Sequence, residues 1–407
     1  MTSKNHKNRK LKIILIAAIV AILCVDAVVF AVWSMGKSNT KQTNNDVKHT
    51  TKVEIKPQVA ALSSNMLVLG NSFWGRSIDE WSQKSPLKYA YPFSRLNEFH
   101  RDKYDAWISG LECPMDEDVH MTAAQQEVNL QFNCPPEYTA EAAKWFTAFT
   151  LANNHTDNQG ADGFAKTQKN LEKNGIQYFG NYDPKVTDDT CEVISLPVTV
   201  QLDNGKTDKG NLPVAMCGYH GVFQIPPSES IELMKKYSKY MLTFAFPHMG
   251  QEYKPAPDQI KTDTYHAMID NGADVVFGDH PHWIQNTEAY KGHLIVYSMG
   301  NFMFDQQSSV EVTRSAGINL LLKTKEADST TLQKWLKLGD ECKKYKDDCL
   351  EQAEKQGLTR PKFTFEFNIV GTSDADKITK PATEAELQAI LTRLNWQAVK
   401  PKIQTEY

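Results

Sequence analysis

The sequence predicts an α/β domain, and three observations carry that reading. Short apolar runs at 66–70, 149–152, 241–246 and 275–277 alternate with amphipathic helix patterns, as strands covered by helices would. Two of those helix patterns, 163–174 and 258–271, are closed by Gly175 and Gly272, a common helix stop. Polar residues with ligand chemistry stand just past successive strand ends, where open α/β sheets keep their sites.

In chain order, residues 1–12 form a basic tail with Lys4, Lys7, Arg9, Lys10 and Lys12 and no acid. Residues 13–35 then run apolar apart from Cys24, Asp26 and Ser34. At ~1.5 Å per residue such a helix crosses a ~30 Å hydrocarbon core. A single-pass N-terminal transmembrane helix is expected, in the cell membrane, with the tail cytoplasmic and the main domain extracellular. A cleaved signal peptide is the rival, but its apolar core is usually shorter, and no small-x-small site follows here. Residues 36–61 are rich in Lys, Asn, Thr and Gln and read as a flexible linker.

The main domain is expected over 62–324, a helical insertion over 325–360, and a closing strand and helix over 361–407. Order is predicted to begin near Asn65. Further strands are expected at 104–109, 176–180, 192–200, 213–219, 293–298, 318–323 and 363–370, and helices at 139–145 and 331–356. Asp203-Asn204-Gly205 marks a hairpin between two of the strands.

The whole chain carries −4, but its first 60 residues carry +7, leaving −11 for the rest. That excludes a nucleic-acid footprint. A polyanion would also be repelled unless a local basic group receives it. Of seven cysteines, six lie beyond the apolar span, which suits disulfides in an exported domain, with fifteen pairings open. Sequential pairing is the simplest. Cys342 and Cys349 test it, because seven helical residues separate Cα atoms by ~10.5 Å, and a bridge needs less than ~7 Å. Either the chain turns between them or they are not partners.

Residues 275–283 read Val-Val-Phe-Gly-Asp-His-Pro-His-Trp. Pro281 biases His280 to extended backbone, and side chains two apart on such backbone share a face. Two neutral imidazoles aimed at one point suit a transition metal; the alternative is a surface loop with two solvated histidines. Asn71, Glu112, Asn154 with His155, and His248 end four other strands. This mixed oxygen and nitrogen set fits zinc, manganese or iron, as one or two ions, rather than calcium. Two ions would activate water and clamp a phosphoryl-like centre, with His155 as general acid or leaving-group contact.

Taken jointly, Gly70-Asn71, Tyr91-Pro92-Phe93, Leu111-Glu112, the run 151–155 (Leu-Ala-Asn-Asn-His), the run 248–253 (His-Met-Gly-Gln-Glu-Tyr), the run 278–282 (Gly-Asp-His-Pro-His) and the run 297–302 (Tyr-Ser-Met-Gly-Asn-Phe) resemble the CapA family of poly-γ-glutamate capsule synthesis proteins. The resemblance covers about residues 66 to 323. It implies a calcineurin-like metallophosphatase fold, a sandwich of two central sheets flanked by helices, and a role in making or exporting an anionic envelope polymer. Companion membrane ligase subunits are implied as partners. Carried over by position, it makes Glu112, Asn154, His248, His280 and His282 metal ligands and His155 a catalytic histidine.

There are departures. The family usually has Asp where this chain has Asn71, and Asn where it has Gly110; Asp157 lies one position early, with Asn158 in its place. An amide for a carboxylate weakens the hold on a first ion. A metal-dependent hydrolase is therefore weighed against a non-catalytic export or scaffold subunit with a degraded site.

Overall fold

The computed structural model describes residues 56–325, 328–342 and 348–407. The predicted tail, membrane span and most of the linker lie outside the described residues. Among the described residues no helix is long and apolar enough to cross a membrane.

The chain opens with β1 (Val59–Ser72), α1 (Arg76–Lys84), β2 (Ala106–Leu111), α2 (Ala123–Asn129) and α3 (Thr139–Ala142). It continues through β3 (Ala148–Thr150), α4 (Gly160–Lys173), β4 (Gln177–Phe179), β5 (Cys191–Leu202) and β6 (Thr207–Gly221). Next come α5 (Ser228–Glu232), α6 (Met234–Ser238), β7 (Thr243–Met249), α7 (Gln259–Asp270), β8 (Val275–Phe277), β9 (Thr287–Tyr290), β10 (His293–Val296) and β11 (Asn301–Met303). The last part holds β12 (Arg314–Lys325), α8 (Ser329–Cys342), α9 (Cys349–Lys355), β13 (Lys362–Ser373), β14 (Lys380–Pro381), α10 (Glu384–Arg393) and α11 (Trp396–Val399).

Where the resemblance implies two separate central sheets, the hydrogen-bonded ladder is continuous through β1. One edge of β1 pairs with β5 over Val59 to Ser63 and then with β2 from Met66 onward. Its other edge takes β12 and then β11. Two arms therefore diverge from one strand. Side chains on β1 alternate between them, as a strand's period of two requires. Met66 and Val68 join the main core with Ile108, Ile318, Val214, Phe244 and Val275. Leu67 and Leu69 join a second cluster with Trp107, Phe149 and, from α4, Phe164 and Leu171. On the other arm, Tyr219, Val276 and Ile295 pack with Met234 of α6 and Tyr265 and Met268 of α7 in a third.

β1 begins six residues before the expected Asn65, because Val59 to Ser63 finds a partner strand in β5. The β5–β6 hairpin forms where Asp203-Asn204-Gly205 predicts it, with Gly205 at φ +80. β9 was not expected. Its two-residue turn to β10 uses Lys291 at φ +50 and Gly292 at φ +86, the hand of turn that suits strand twist.

The cysteines pair sequentially: Cys113–Cys134, Cys191–Cys217 and Cys342–Cys349. The last is possible because the expected continuous helix is broken. The Cα atoms of Cys342 and Cys349 lie 5.2 Å apart, too close for two residues seven apart in one helix. Cys191 and Cys217 face one another directly across β5 and β6.

Candidate metal centre

The strand topology brings every expected site residue to one end of the sheet. Asn71 closes β1, Glu112 follows β2, Asn154 and His155 follow β3, His248 ends β7, and His280 and His282 follow β8. The backbone is packed tightly there. A Cβ on Gly70 would sit 1.8 Å from the carbonyl oxygen of Gly300, and one on Gly278 would sit 2.5 Å from that of Tyr297. Only glycine permits these approaches.

The Gly-Asp-His-Pro-His segment departs from its expected geometry. His280 has φ +93 and His282 φ +59, so the stretch is not extended and the two rings do not share one target. Asp279 is the cause. Its N–H donates to Pro247 and its C=O accepts from Met249, a bridge to β7 that turns the chain before Pro281. The ring centroids of His280 and His282 lie 6.1 Å apart, and each joins a different group. Left-handed backbone at a non-glycine residue costs on the order of 1–3 kcal/mol; here it occurs at both histidines.

The first group is Asn154, His248 and His280. His248 Nε2 lies 2.9 Å from Asn154 Oδ1 and 3.2 Å from His280 Nδ1. The second is Glu112 and His282. Asn301 spends its amide N–H groups on Gln306 and Val312 O, so its Oδ1 accepts from His282 Nδ1 at 2.8 Å. The Nε2 lone pair of His282 then faces Glu112 Oε1 at 3.6 Å. An imidazole pinned through one nitrogen by an amide, with the other nitrogen free, is the usual posture of a metal-binding histidine. All five residues are buried.

Neither carboxylate oxygen of Glu112 has a hydrogen-bond partner. Burial and the nearby Asp279 push its pKa well above the carboxylate range, against the Asn153 amide and Arg76. Burial drives His248 and His280 well below the ordinary imidazole value and His282 to about 4. The histidines are therefore neutral, lone-pair-bearing groups at physiological pH. Two donors each ~2.1 Å from one zinc-like ion would lie about 3.0–3.4 Å apart, close to the spacings seen here. The donor chemistry thus fits a divalent transition ion. The arrangement is one of pairs: among the described residues no three His, Cys, Asp or Glu side chains alone form a metal-holding group. Asn154 adds a neutral oxygen to the His248 pair, 2.9 Å from its Nε2.

Asn71 is the odd member. It is fully buried, and neither its amide nitrogen nor its oxygen has a partner. With Gly110, Asn153, His248 and Asp279 it lines a cavity of about 10 Å³, room for about one small occupant. Both oxygens of buried Asp279 are also without partners.

His155 stands at the rim. Asn158 Oδ1 accepts from Phe132 N at 2.8 Å and lies 2.9 Å from His155 Nδ1, so Nδ1 carries the proton and Nε2 the lone pair. Phe132 stacks on the ring at 4.0 Å, and burial lowers its pKa to about 4. The site thus presents a neutral proton acceptor at neutral pH, which becomes an acid only after taking a proton from substrate or water.

Sequence reasoning missed several contributors. His220 ends β6 in register with His248, is buried, and bonds through Nδ1 to the carbonyl of Tyr182 at 2.5 Å. Its position at a strand end was the available signal. Asn301, which opens β11 and orients His282, and Asn153, whose Nδ2 lies 3.4 Å from His248 Nδ1, stand in two of the runs that carry the family resemblance but were given no role of their own.

A family profile described as "Bacterial capsule synthesis protein PGA_cap" matches residues 65–203 and 224–306, more than half of the chain. The chain belongs to this capsule synthesis family. The two matched segments hold all seven expected site residues, while His220 falls in the gap between them. Among curated relatives, PGA biosynthesis protein CapA of Bacillus subtilis (strain 168) is 27% identical over 61% of this chain and 66% of its own length. Capsule biosynthesis protein CapA of Bacillus anthracis is 30% identical over 59% of this chain and 60% of its own. The match therefore spans less than two thirds of either relative. Among solved structures, TT1561 of Thermus thermophilus aligns at 9% identity and TM-score 0.33, over 62% of this chain and 93% of its own. That likeness is too slight to carry an argument.

Proposed function

We propose that this capsule-family protein acts in synthesis or export of a poly-γ-glutamate-type envelope polymer through a metal-dependent, hydrolase-type centre. The observation that carries the reading is the buried confrontation of two lone-pair donors, Glu112 Oε1 and His282 Nε2, 3.6 Å apart. Unpaired buried acceptors are costly, and a shared cation is the partner that satisfies both. Glu112 and His282 would hold one ion, and Asn154, His248 and His280 another. Manganese, zinc and iron all suit these donors. An ion bound there supplies Lewis-acid polarisation of the scissile group and a lowered pKa for water. The chain's own contribution is orientation: Asn301 sets the His282 tautomer and Asn158 that of His155, whose Nε2 takes up and returns a proton.

The second reading is a non-catalytic export or scaffold subunit, favoured by the neutral Asn71 amide. Membrane attachment through residues 13–35, an extracellular domain and membrane ligase subunits as partners belong to both readings. The three disulfides support an oxidising compartment.

Elemental analysis of the full chain after growth with manganese or zinc tests the centre. At least one ion per chain is expected, lost in His280→Ala/His282→Ala. Absence of stoichiometric metal in the unmodified protein would sink the hydrolase reading. Normal polymer export by a folded double variant would favour the scaffold.

A further inference from the structure

Arg76 stands outside the ligand set, yet its charge reaches into it. It opens α1 with φ +41, and its side chain is buried. The rings of Phe73, Phe132 and Phe304 lie 5.1, 4.4 and 5.7 Å from its guanidinium carbon. Phe132 also stacks on His155 at 4.0 Å, and Phe304 packs against His282 at 5.1 Å. One aromatic ring thus separates the guanidinium from each of two site histidines. Its field lowers the pKa of Glu112, His155 and His282 alike, though burial dominates each shift.

Two carboxylates meet this arginine, and they differ in kind. Asp305 is buried and takes Nε at 3.1 Å and Nη2 at 2.6 Å in a fork, while also accepting from Ser77 N–H. That fork sets the guanidinium plane. Glu127 takes Nη1 at 2.7 Å, but its side chain is 67% exposed and sits on the short helix α2. Asp305 already neutralises Arg76, and so exposed an acid adds little to stability. The Glu127 carboxylate marks where a removable acid binds.

We propose that Arg76 Nη1 is the receptor for a carboxylate of the substrate, and that Glu127 occupies it as an internal stand-in until the polymer enters. This rests on the polymer reading above. A γ-linked glutamyl chain carries one free carboxylate per unit beside each backbone amide. Holding that carboxylate on Arg76 sets the neighbouring amide toward His155 and the ion-binding donors. Exchanging the Glu127 carboxylate for one of the polymer's leaves the charge around Arg76 unchanged, so the net charge of −11 on the segment does not oppose that step.

Titration calorimetry of a short γ-linked glutamate oligomer against the detergent-solubilised full chain tests this, with inorganic phosphate as a parallel ligand. Glu127→Gln is expected to bind the oligomer about tenfold tighter, because a charged competitor is removed. Arg76→Lys is expected to bind it about tenfold more weakly or worse, since lysine cannot keep the Asp305 fork and reach forward. Oligomer binding that is equal in all three proteins, or no tighter in Glu127→Gln, overturns the Arg76 assignment and leaves the polymer reading standing. No oligomer binding by any of them overturns both. The same order seen with phosphate alone overturns the carboxylate assignment. Should Arg76→Lys fail to fold, the exposed Glu127→Gln substitution decides by itself.

Discussion

The two halves of the site are equally buried but differently finished. On the β7 and β8 side, His248 meets Asn153 and Asn154, His280 meets His248, and His282 meets Asn301. On the β1 and β2 side, neither polar side-chain atom of Asn71 and neither carboxylate oxygen of Glu112 has a hydrogen-bond partner, and Glu112 Oε1 only faces His282 Nε2 at 3.6 Å. Orientation and need are thus separated. His282 is held through Nδ1 by the Asn301 amide, which leaves Nε2 for an ion, whereas Glu112 is stable as a buried carboxylate only beside a cation.

The largest effect should come from the unfinished half. Glu112→Gln keeps the shape and removes the carboxylate, so metal affinity should fall by roughly 100-fold or more, read by competition with a chelating dye. An unchanged affinity would mean that the histidine half binds alone and the contrast drawn above is wrong. Asn71→Asp should act in the opposite direction. It places a second carboxylate in the unfinished half, so affinity should rise about tenfold, while metal-free stability falls by about 1–3 kcal/mol for the unpaired buried charge. Denaturant melts with and without ion separate the two changes. A gain in metal-free stability would show that the Asn71 pocket already holds a countercharge.

The smallest effect concerns the histidine half without metal. Its imidazoles have folded pKa values below the unfolded value, with His155 and His282 at about 4. Between pH 6.5 and 4 the unfolded chain binds more protons than the native one. Stability is therefore fully present above about pH 6.5 and lost as pH falls toward 4. The melting temperature of metal-free protein should drop by several degrees across that window, and His155→Gln should flatten part of the slope. The raised pKa values of Glu112 and Asp279 act in the opposite direction, so the deciding comparison is between the two proteins: identical slopes with and without His155 would place that ring in water.

Much of this was legible because it is local. Apolar runs, glycine stops and the Asp203-Asn204-Gly205 turn are written into neighbouring residues, and strand ends at Glu112, Asn154, His248 and His282 follow from them. The short strands β9, β11 and β14 escaped because each is defined by its pairing partner rather than by its own pattern. The posture of His280 escaped for a similar reason. Pro281 argues for extended backbone nearby, but the Asp279 bridge to Pro247 and Met249 turns the chain first.

By itself, then, the sequence determined an α/β domain, its family, and which residue types stand at the carboxyl edge, since these depend on period, turn chemistry and order along the chain. Only the tertiary structure decided that β1 joins both arms of one sheet and that cysteines 342 and 349 meet across a broken helix. It also decided that the two histidines of the His-Pro-His run serve different partners, and that Arg76 lies one ring away from both His155 and His282. Each of these is a contact between residues far apart in sequence, or a local turn imposed by such a contact. No local pattern encodes them.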